Sequence, residues 1–355
     1  MSIAFERTAH PLGTHRVIDP PGAMPQNARK IDNTPVAFDN EILCDVETLN
    51  IDSASFKQIR DYCNGDADRI AAHLAQTVRE RGKQHNPVTG SGGMFIGRVL
   101  KIGEHLRGKI DLKAGDRIAS LVSLTLTPLY LESIHAVDVR TGQVRVRGKA
   151  ILFESGLWAQ LPQDLGDDVA LAVLDVAGAP AQVKRMTKPG MNVVVIGADG
   201  KSGMLACVHA RAQAGKNGRV IGIAPDAATP AAQLLKREGY VDTFLELDAR
   251  DAIAVSAAVQ QHLPELADLV VNCVNVSGTE LSSILCAKDE GVVYFFSMST
   301  SFTAAALGAE GAGKDVTMIV GNGYAKGHAA VALQTLRDHP SIRAYFNEKY
   351  TGGRS

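Results

Sequence analysis

The sequence has almost no excess of either charge. Its 355 residues contain 37 Lys and Arg against 38 Asp and Glu, which gives a formal net charge of −1. A chain without a basic or acidic surplus has no global attraction for nucleic acid or for an anionic membrane. We therefore expect a small-molecule partner.

Long apolar runs are also missing. No stretch reaches the roughly 18 apolar residues of a membrane span. The first residues, MSIAFERTAHPLGTHRV, lack the basic head and apolar core of a signal peptide. We expect a cytoplasmic globular protein that does not associate with a membrane.

Cysteines are few and scattered. There is no CxxC pair and no His at ligand spacing, so neither a disulfide framework nor a zinc site is indicated. Three of the five lie in apolar stretches, which favours buried thiols. The five are Cys44, Cys63, Cys207, Cys273 and Cys286.

The second half of the chain alternates short apolar runs with helical stretches. The runs predict six strands, at 192–196, 219–224, 241–245, 268–273, 291–296 and 316–320. Helices are predicted between them at 202–214, 230–238, 252–262 and 279–287. Buried strands separated by helices indicate a parallel sheet covered on both faces, the doubly wound Rossmann arrangement of an α/β protein.

The first half has a different pattern. Runs that alternate polar and apolar residues are separated by turn signals, at 41–47, 94–102, 117–121, 136–139 and 143–147. This pattern predicts an antiparallel, β-barrel-type domain. An apolar helical segment at 164–186 joins the two parts, and a helix at about 327–338 precedes a polar tail. We place the domains at 1–165 and 166–324, with 325–355 packing back on the first.

The stretch VVVIGADGKSGM carries the clearest motif. Gly197, Gly200 and Gly203 form GxxGxxG between a strand and a helix, a variant of the dinucleotide fingerprint. Glycine permits the sharp turn, the approach of the backbone to a pyrophosphate and the close packing of helix on strand. Lys201 lies near the phosphates or faces water, and Ser202 caps the helix or donates to a phosphate. A plain glycine turn is the alternative, weakened by the five further strands.

Residues that end the other strands are expected near the cofactor, because ligands bind beyond the carboxyl ends of parallel strands. These residues are Pro225, Asp226, Cys273, Val274, Ser297 and Met298. An acid after the second strand binds the ribose hydroxyls in the NAD form of the fold. Asp226 stands beyond a proline, so it either reaches the ribose or caps the next helix. We expect NAD, with NADP as the alternative.

The order of the two domains resembles the medium-chain dehydrogenase/reductase superfamily. Residues 39–56 look like its strand and loop entering the active site, and residues 90–99 like its next active-site strand. The resemblance implies a GroES-like first domain and a homodimer formed through the edge of the cofactor sheet. Zinc-dependent members carry a cysteine in the first loop and a His-Glu pair in the second. Both are absent from 50–55 and 91–94, so we expect no metal.

Longer motifs narrow the resemblance. The stretches HNPVTGSGGMFIGRV, RIASLVSLTLTPLYLESI, ILFESGLWAQLP and LAVLDVAGAPAQV are similar to the L-erythro-3,5-diaminohexanoate dehydrogenase family. This resemblance implies NAD(P)-dependent oxidative deamination of that diamino acid to 5-amino-3-oxohexanoate in lysine degradation. Two alternatives stay open, a zinc-free quinone or enoyl reductase and a nucleotide-binding member without turnover.

Such a reaction needs a group that takes a proton from an ammonium, a role suited to a carboxylate. Asp175 lies in an apolar run where the superfamily brings its interdomain helix against the nicotinamide, and burying it without a partner would be costly. The alternative is a capped or salt-bridged helix residue. Asp52, in the first active-site loop, is the second candidate, with a helix N-cap as its alternative. The histidines His85, His135 and His328 show no clustering that argues for catalysis.

Six residues are candidates for substrate contacts: Ser91, Gly92, Ser123, Thr125, Tyr324 and Lys326. The first two offer backbone donors or room for a small substrate, unless they form only a tight strand entry. The next two alternate on one strand-like face, which β-propensity alone would also explain. The last two follow the final strand, and Lys326 is either a partner for the substrate carboxylate or a solvated lysine.

Overall fold

The computed structural model describes residues 9–297 and 299–351. The chain divides into two compact units, Met1–Asp175 and Val176–Ser355. None of the described helices has the length and apolar content needed to cross a bilayer. The five cysteines are buried free thiols, as predicted.

An antiparallel sheet of six strands forms the first unit, in the order β6-β7-β3-β4-β5-β8. A two-stranded sheet precedes it. The strands in chain order are β1 (Val17–Asp19), β2 (Lys30–Ile31), β3 (Glu41–Asn50), β4 (Met94–Ile102), β5 (Arg117–Ser120), β6 (Leu129–Val137), β7 (Gln143–Phe153) and β8 (Trp158–Gln160). Every neighbouring pair in the large sheet is antiparallel, which confirms the prediction.

The described residues of the first unit form three α-helices: α1 (Ser53–Tyr62), α2 (Ala67–Arg81) and α3 (Asp167–Leu174). The first two were not predicted from the sequence, although both carry helix signals. Asp66 caps α2 by accepting from the backbone of Arg69. The residues of α2 that are buried, Ile70, Leu74 and Val78, recur every four positions and form one apolar stripe.

A parallel sheet forms the second unit, in the order β11-β10-β9-β12-β13-β14. Its strands are β9 (Val193–Ile196), β10 (Val220–Ala224), β11 (Thr243–Glu246), β12 (Ala267–Asn272), β13 (Ala287–Phe295) and β14 (Val316–Val320). This is the strand order of a dinucleotide-binding sheet, with the first strand at the centre. All four residues of β9 are fully buried, as expected for a strand covered on both faces.

Helices separate these strands, as predicted. The α-helices described in this unit are α4 (Gly178–Met186), α5 (Lys201–Ala214), α6 (Pro230–Arg237), α7 (Ala252–His262), α8 (Glu280–Cys286), α9 (Phe302–Ala312), α10 (His328–Asp338) and α11 (Pro340–Thr351). Helices α5 to α9 lie between strands, and of these α9 was not predicted. The prediction of a polar tail after α10 is wrong for residues 340–351, which form α11. This helix buries Ile342, Phe346 and Tyr350 at intervals of four residues. Helix α10 packs on α4, and α11 packs on α6.

A buried ion pair joins the start of β3 to the segment before β1. Arg16 donates from Nε and Nη2 to the two carboxylate oxygens of Glu41, at 2.7 and 2.6 Å. Each side chain is only 1% exposed. Burial by itself raises the pKa of Glu41, but the hydrogen bonds from Arg16 and His15 outweigh it and hold the pKa below its ordinary 4.5.

We predict that Arg16→Met lowers the free energy of unfolding at neutral pH by about 3–5 kcal/mol, because it leaves a buried carboxylate without its main partner. Arg107→Met is the matched control. It removes an exposed pair with Glu104, so the loss there should be below about 1 kcal/mol. Since folding lowers the pKa of Glu41, the wild-type stabilisation is present above pH 4.5 and is lost as the pH falls through the folded pKa. Urea unfolding across this range measures both effects, and equal losses in the two variants would contradict the assignment.

Candidate functional site

The three glycines after β9 have different structural roles. Gly197 has a φ of +81°, and a Cβ there would lie 3.0 Å from the side chain of Val274. A Cβ at Gly203 would lie 2.0 Å from the carbonyl oxygen of Gly197, so the close approach of α5 to β9 requires glycine. At Gly200 the nearest atom would be 3.4 Å away, an ordinary contact. The fold therefore requires two of the glycines, while the third leaves room for a ligand group.

Helix α5 begins beside this space. Gly200 is its N-cap and supplies no side-chain hydrogen bond, so the capping role considered for Ser202 is wrong. Uncapped N–H groups at a helix start favour an anionic group such as a phosphate. The ammonium of Lys201 lies 5.9 Å from the ring centroid of Tyr350, against α11.

The expected cofactor residues gather at one edge of the second sheet, because their strands are parallel. Cys273 follows β12 and donates its N–H to the carbonyl of Ile196, at 2.9 Å. Ser297 follows β13 and accepts from the backbone of Ser299, at 3.0 Å. Val274 lies against Gly197, and Pro225 is exposed after β10. Met298 lies outside the described residues.

Two carboxylates lie close together at this edge. The capping role considered for Asp226 is wrong, because Thr229 caps α6. Asp226 instead accepts from the backbone of Ala228 at 2.7 Å and stays exposed. Asp199, between the first two glycines, was missed in the sequence. Burial raises its pKa, and the charge of Asp226 adds to the rise.

Ser91 and Gly92, two candidate substrate residues of the first unit, lie in the loop before β4, near the end of β3. Gly93 has a φ of +95°, and a Cβ there would lie 2.0 Å from the carbonyl oxygen of Asn50. A Cβ at Gly92 would lie 2.3 Å from the carbonyl oxygen of Gln84 and 2.8 Å from the backbone nitrogen of Thr125. These glycines thus form the tight strand entry considered above, and they bring three segments together.

Asp52 caps α1, as its alternative interpretation predicts. Its Oδ1 accepts from the backbone N–H of Ser55 at 2.9 Å. Its Oδ2 is buried and has no hydrogen-bond partner in the described part of the chain. Burial raises the pKa of this carboxyl, Ser55 and Ser91 oppose the rise, and the charge of Asp175 adds to it. The structure therefore brings both proposed catalytic carboxylates and Ser91 into one neighbourhood.

His85 is a neighbour of the site that sequence reasoning set aside. Its Nδ1 makes a hydrogen bond with the hydroxyl of Thr125. Burial, together with the charges of Lys83 and Arg81, lowers the pKa of His85 to about 4. The imidazole is therefore neutral at neutral pH. A signal was present, since His85 opens the motif HNPVTGSGG.

Ser123 and Thr125 lie in a turn, so the strand-like face expected for them is wrong. The backbone of Thr125 donates to the hydroxyl of Ser123 at 3.2 Å, and Thr127 donates from its hydroxyl to the carbonyl of Ser123 at 3.0 Å. These local bonds compete with sheet pairing and hold the turn before Pro128.

Tyr324 and Lys326 belong to the second unit, in the exposed loop between β14 and α10. The ring of Tyr324 contacts His328 edge to face, with 5.2 Å between the ring centroids. Among the residues at 9–297 and 299–351, no group of three or more His, Cys, Asp or Glu side chains is placed to hold a metal ion.

Solved structures of similar fold define the class. A mycobacterial protein complexed with NADPH aligns with a TM-score of 0.56 at 15% identity, over 92% of this chain and 93% of its own. The CurK enoyl reductase aligns with a TM-score of 0.53 at 15% identity, over 90% of this chain and 80% of its own. An alcohol dehydrogenase from Thermus sp. ATN1 aligns with a TM-score of 0.51 at 18% identity, over 86% of this chain and 84% of its own. The chain thus has the fold of the medium-chain dehydrogenases and reductases.

Sequence comparison identifies the family. A family model described as the L-erythro-3,5-diaminohexanoate dehydrogenase N-terminal domain matches residues 15–162. A relative of that name from Acetoanaerobium sticklandii is 52% identical over 95% of this chain and 98% of its own length. A second, from Fusobacterium nucleatum subsp. nucleatum, is 51% identical over the same shares. The chain belongs to the L-erythro-3,5-diaminohexanoate dehydrogenase family and is an oxidoreductase.

The glycine geometry gives a prediction that separates fold from ligand binding. Gly203→Ala should lower the free energy of unfolding by about 1–3 kcal/mol, because its methyl group meets backbone. Gly200→Ala should change stability by less than about 1 kcal/mol but weaken NAD and NADP binding about tenfold, because it fills the space left beside the helix start. Thermal unfolding and calorimetric titration measure the two effects. Wild-type dinucleotide affinity in Gly200→Ala would contradict the assignment of this space to the cofactor.

Proposed function

We propose that this enzyme oxidatively deaminates L-erythro-3,5-diaminohexanoate to (S)-5-amino-3-oxohexanoate, with NAD(P) as hydride acceptor, in lysine degradation. The observation that carries the proposal is the 52% identity to a relative of that name over 95% of the chain. The similarity spans both units, so it includes the dinucleotide loop and the polar end of the first sheet.

The reaction sets the tasks of the site. The C3 ammonium loses a proton, the C3 hydrogen leaves as hydride, and water adds to the resulting imine before ammonia departs. Substrate, oxidised cofactor and water thus become the ketone, an ammonium ion, reduced cofactor and one proton. The protein must accept a proton from an ammonium and hold a second ammonium and a carboxylate.

The residues around Asp52 suit proton transfer. A nicotinamide dinucleotide, held at Gly197, Gly200 and Gly203, supplies the hydride acceptor when bound. Asp52 Oδ2 takes the proton from the C3 ammonium, because it is a buried acceptor without a partner in the described residues. A raised pKa brings this carboxyl closer to the working pH, which suits a general base. Burial is the main cause of this raised pKa, and the charge of Asp175 adds to it and attracts the cationic part of the substrate.

NAD is the preferred cofactor in this proposal. Asp199 and Asp226 place two carboxylates at the edge where the ribose is expected. Carboxylates accept hydrogen bonds from ribose hydroxyls but repel the additional phosphate of NADP.

The activity is tested with purified protein, the diamino acid and each cofactor, by following cofactor reduction and ammonia release. We expect turnover with a higher kcat/KM for NAD than for NADP. No reaction with either would contradict the proposal. Oxidation of NADPH by a quinone or an enoyl thioester, without reaction of the diamino acid, would favour a reductase.

The pH profile tests the base. Asp52→Asn should lower kcat about 10²–10⁴-fold. In the wild type kcat/KM should fall as the pH drops through the raised pKa of Asp52, because the protonated carboxyl accepts no proton. Asp175→Asn removes a negative charge, so it should move this acidic limb to lower pH. Asp61→Asn, at an exposed position on α1, is the control and should leave the profile unchanged. An unmoved limb in Asp175→Asn would contradict the coupling.

We also propose a homodimer formed through β14. This strand ends the sheet and pairs on one side with β13. Its Val320 is 59% exposed, and in α9 Phe302 and Leu307 are 59% and 62% exposed. An apolar edge strand favours pairing with another strand, and a second copy satisfies it by two-fold symmetry.

Sedimentation velocity tests the dimer. The wild type should sediment as a dimer, and Val320→Glu should weaken association at least about tenfold by burying a charge at the interface. Ile253→Glu, at an exposed apolar position on α7, is the matched control and should remain dimeric. A monomeric wild type would contradict the proposal.

A further inference from the structure

Three buried polar atoms of the first unit have no hydrogen-bond partner among its described residues. They are Asn50 Nδ2, Asp52 Oδ2 and Gln84 Oε1. The Asn50 and Gln84 residues are each only 1% exposed. Buried polar groups in native proteins are nearly always paired, and an unpaired one costs free energy. Unpaired atoms on three residues of one region therefore indicate groups reserved for a ligand.

The backbones of two of these residues, Asn50 and Gln84, lie against the same dipeptide, Gly92–Gly93. A Cβ at Gly93 would lie 2.0 Å from the carbonyl oxygen of Asn50, and one at Gly92 would lie 2.3 Å from that of Gln84. Asp52 follows Asn50 by two residues. The two glycines thus bring the backbones of Asn50 and Gln84 close to one short segment.

The unpaired atoms comprise one donor and two acceptors. Asn50 Nδ2 donates, whereas Asp52 Oδ2 and Gln84 Oε1 accept. A 3,5-diamino acid presents the complementary groups, a carboxylate that accepts and two ammonium groups that donate. The numbers and types of hydrogen-bonding groups therefore match.

We propose that Asn50 and Gln84 are specificity-determining residues on either side of Asp52. Asn50 Nδ2 donates to the C1 carboxylate of the substrate, and Gln84 Oε1 accepts from the C5 ammonium, while Asp52 meets the C3 ammonium. This inference rests on the proposed function and adds the residues that distinguish a 3,5-diamino acid from a simple β-amino acid.

The neighbouring lysine is already engaged. Lys83 is fully buried, and its ammonium donates to the carbonyl oxygens of Pro25 and Gln26 at 2.6 and 3.1 Å. The next residue, Gln84, is neutral, and its Oε1 can accept from the ammonium of a bound substrate. Because Lys83 is paired with these carbonyls, the substrate carboxylate is held by the amide donor of Asn50 in this proposal.

Substrate analogues that lack one group test the assignment. Inhibition constants are measured against the diamino acid for 3-aminohexanoate, which lacks the C5 ammonium, and for pentane-2,4-diamine, which lacks the carboxylate. Gln84→Met keeps the side-chain length and removes the acceptor. It should raise the KM for the diamino acid about 10–100-fold and change the inhibition constant of 3-aminohexanoate less than about threefold. Asn50→Asp should raise the KM for the diamino acid at least about tenfold, because the new carboxylate repels that of the substrate. The inhibition constant of pentane-2,4-diamine, which lacks a carboxylate, should stay the same or fall.

Rescue and controls separate recognition from folding. Gln84→Glu keeps an acceptor at this position. Its preference for the diamino acid over 3-aminohexanoate should therefore be at least as large as that of the wild type. NAD affinity and the unfolding temperature, measured on each variant, report on folding. If Gln84→Met weakened the binding of 3-aminohexanoate as much as that of the diamino acid, or Asn50→Asp did so for pentane-2,4-diamine, this inference would be overturned while the proposed function stands. Absence of wild-type turnover would overturn both.

Discussion

The candidate site of the first unit depends on a close approach of backbones that only glycine permits. Gly92 and Gly93 leave no space for a Cβ beside the carbonyls of Gln84 and Asn50. This approach brings the end of β3, the loop before β4 and the turn before β6 together. Asn50, Gln84 and Asp52, which lie on or beside these segments, each have one buried side-chain atom without a partner in the described residues. The site is therefore a consequence of backbone packing rather than of a charged cluster.

Burial and like charge then give this region its chemistry. A buried carboxyl with a second carboxylate nearby resists ionisation, which is why the pKa of Asp52 rises. A substrate that carries two ammonium groups relieves both penalties when it binds. The second unit shows a comparable division of roles among its glycines, since Gly197 and Gly203 serve the fold whereas Gly200 leaves space for a ligand.

Much of the fold could be predicted from local pattern, because buried parallel strands and amphipathic helices leave strong periodic signals. The predicted and observed limits of α7 and β14 agree residue by residue. Helices α1, α2 and α11 were missed because each has only a narrow apolar stripe among mostly polar residues, and α9 was not predicted either. Asp52 and Asp175 were identified from their place in motifs. Asp199, Asn50 and Gln84 were not, because their environment depends on contacts between segments distant in sequence, which periodicity does not encode.

The most direct test of the central claim is an isotope-edited NMR titration of the Asp52 carboxyl in the NADH-bound enzyme. Without substrate, the pKa should lie above the ordinary 3.8 of an aspartate. With saturating diamino acid it should fall, because an ammonium pairs with the carboxylate and stabilises its charge. A pKa that stays the same when the diamino acid binds would contradict the account.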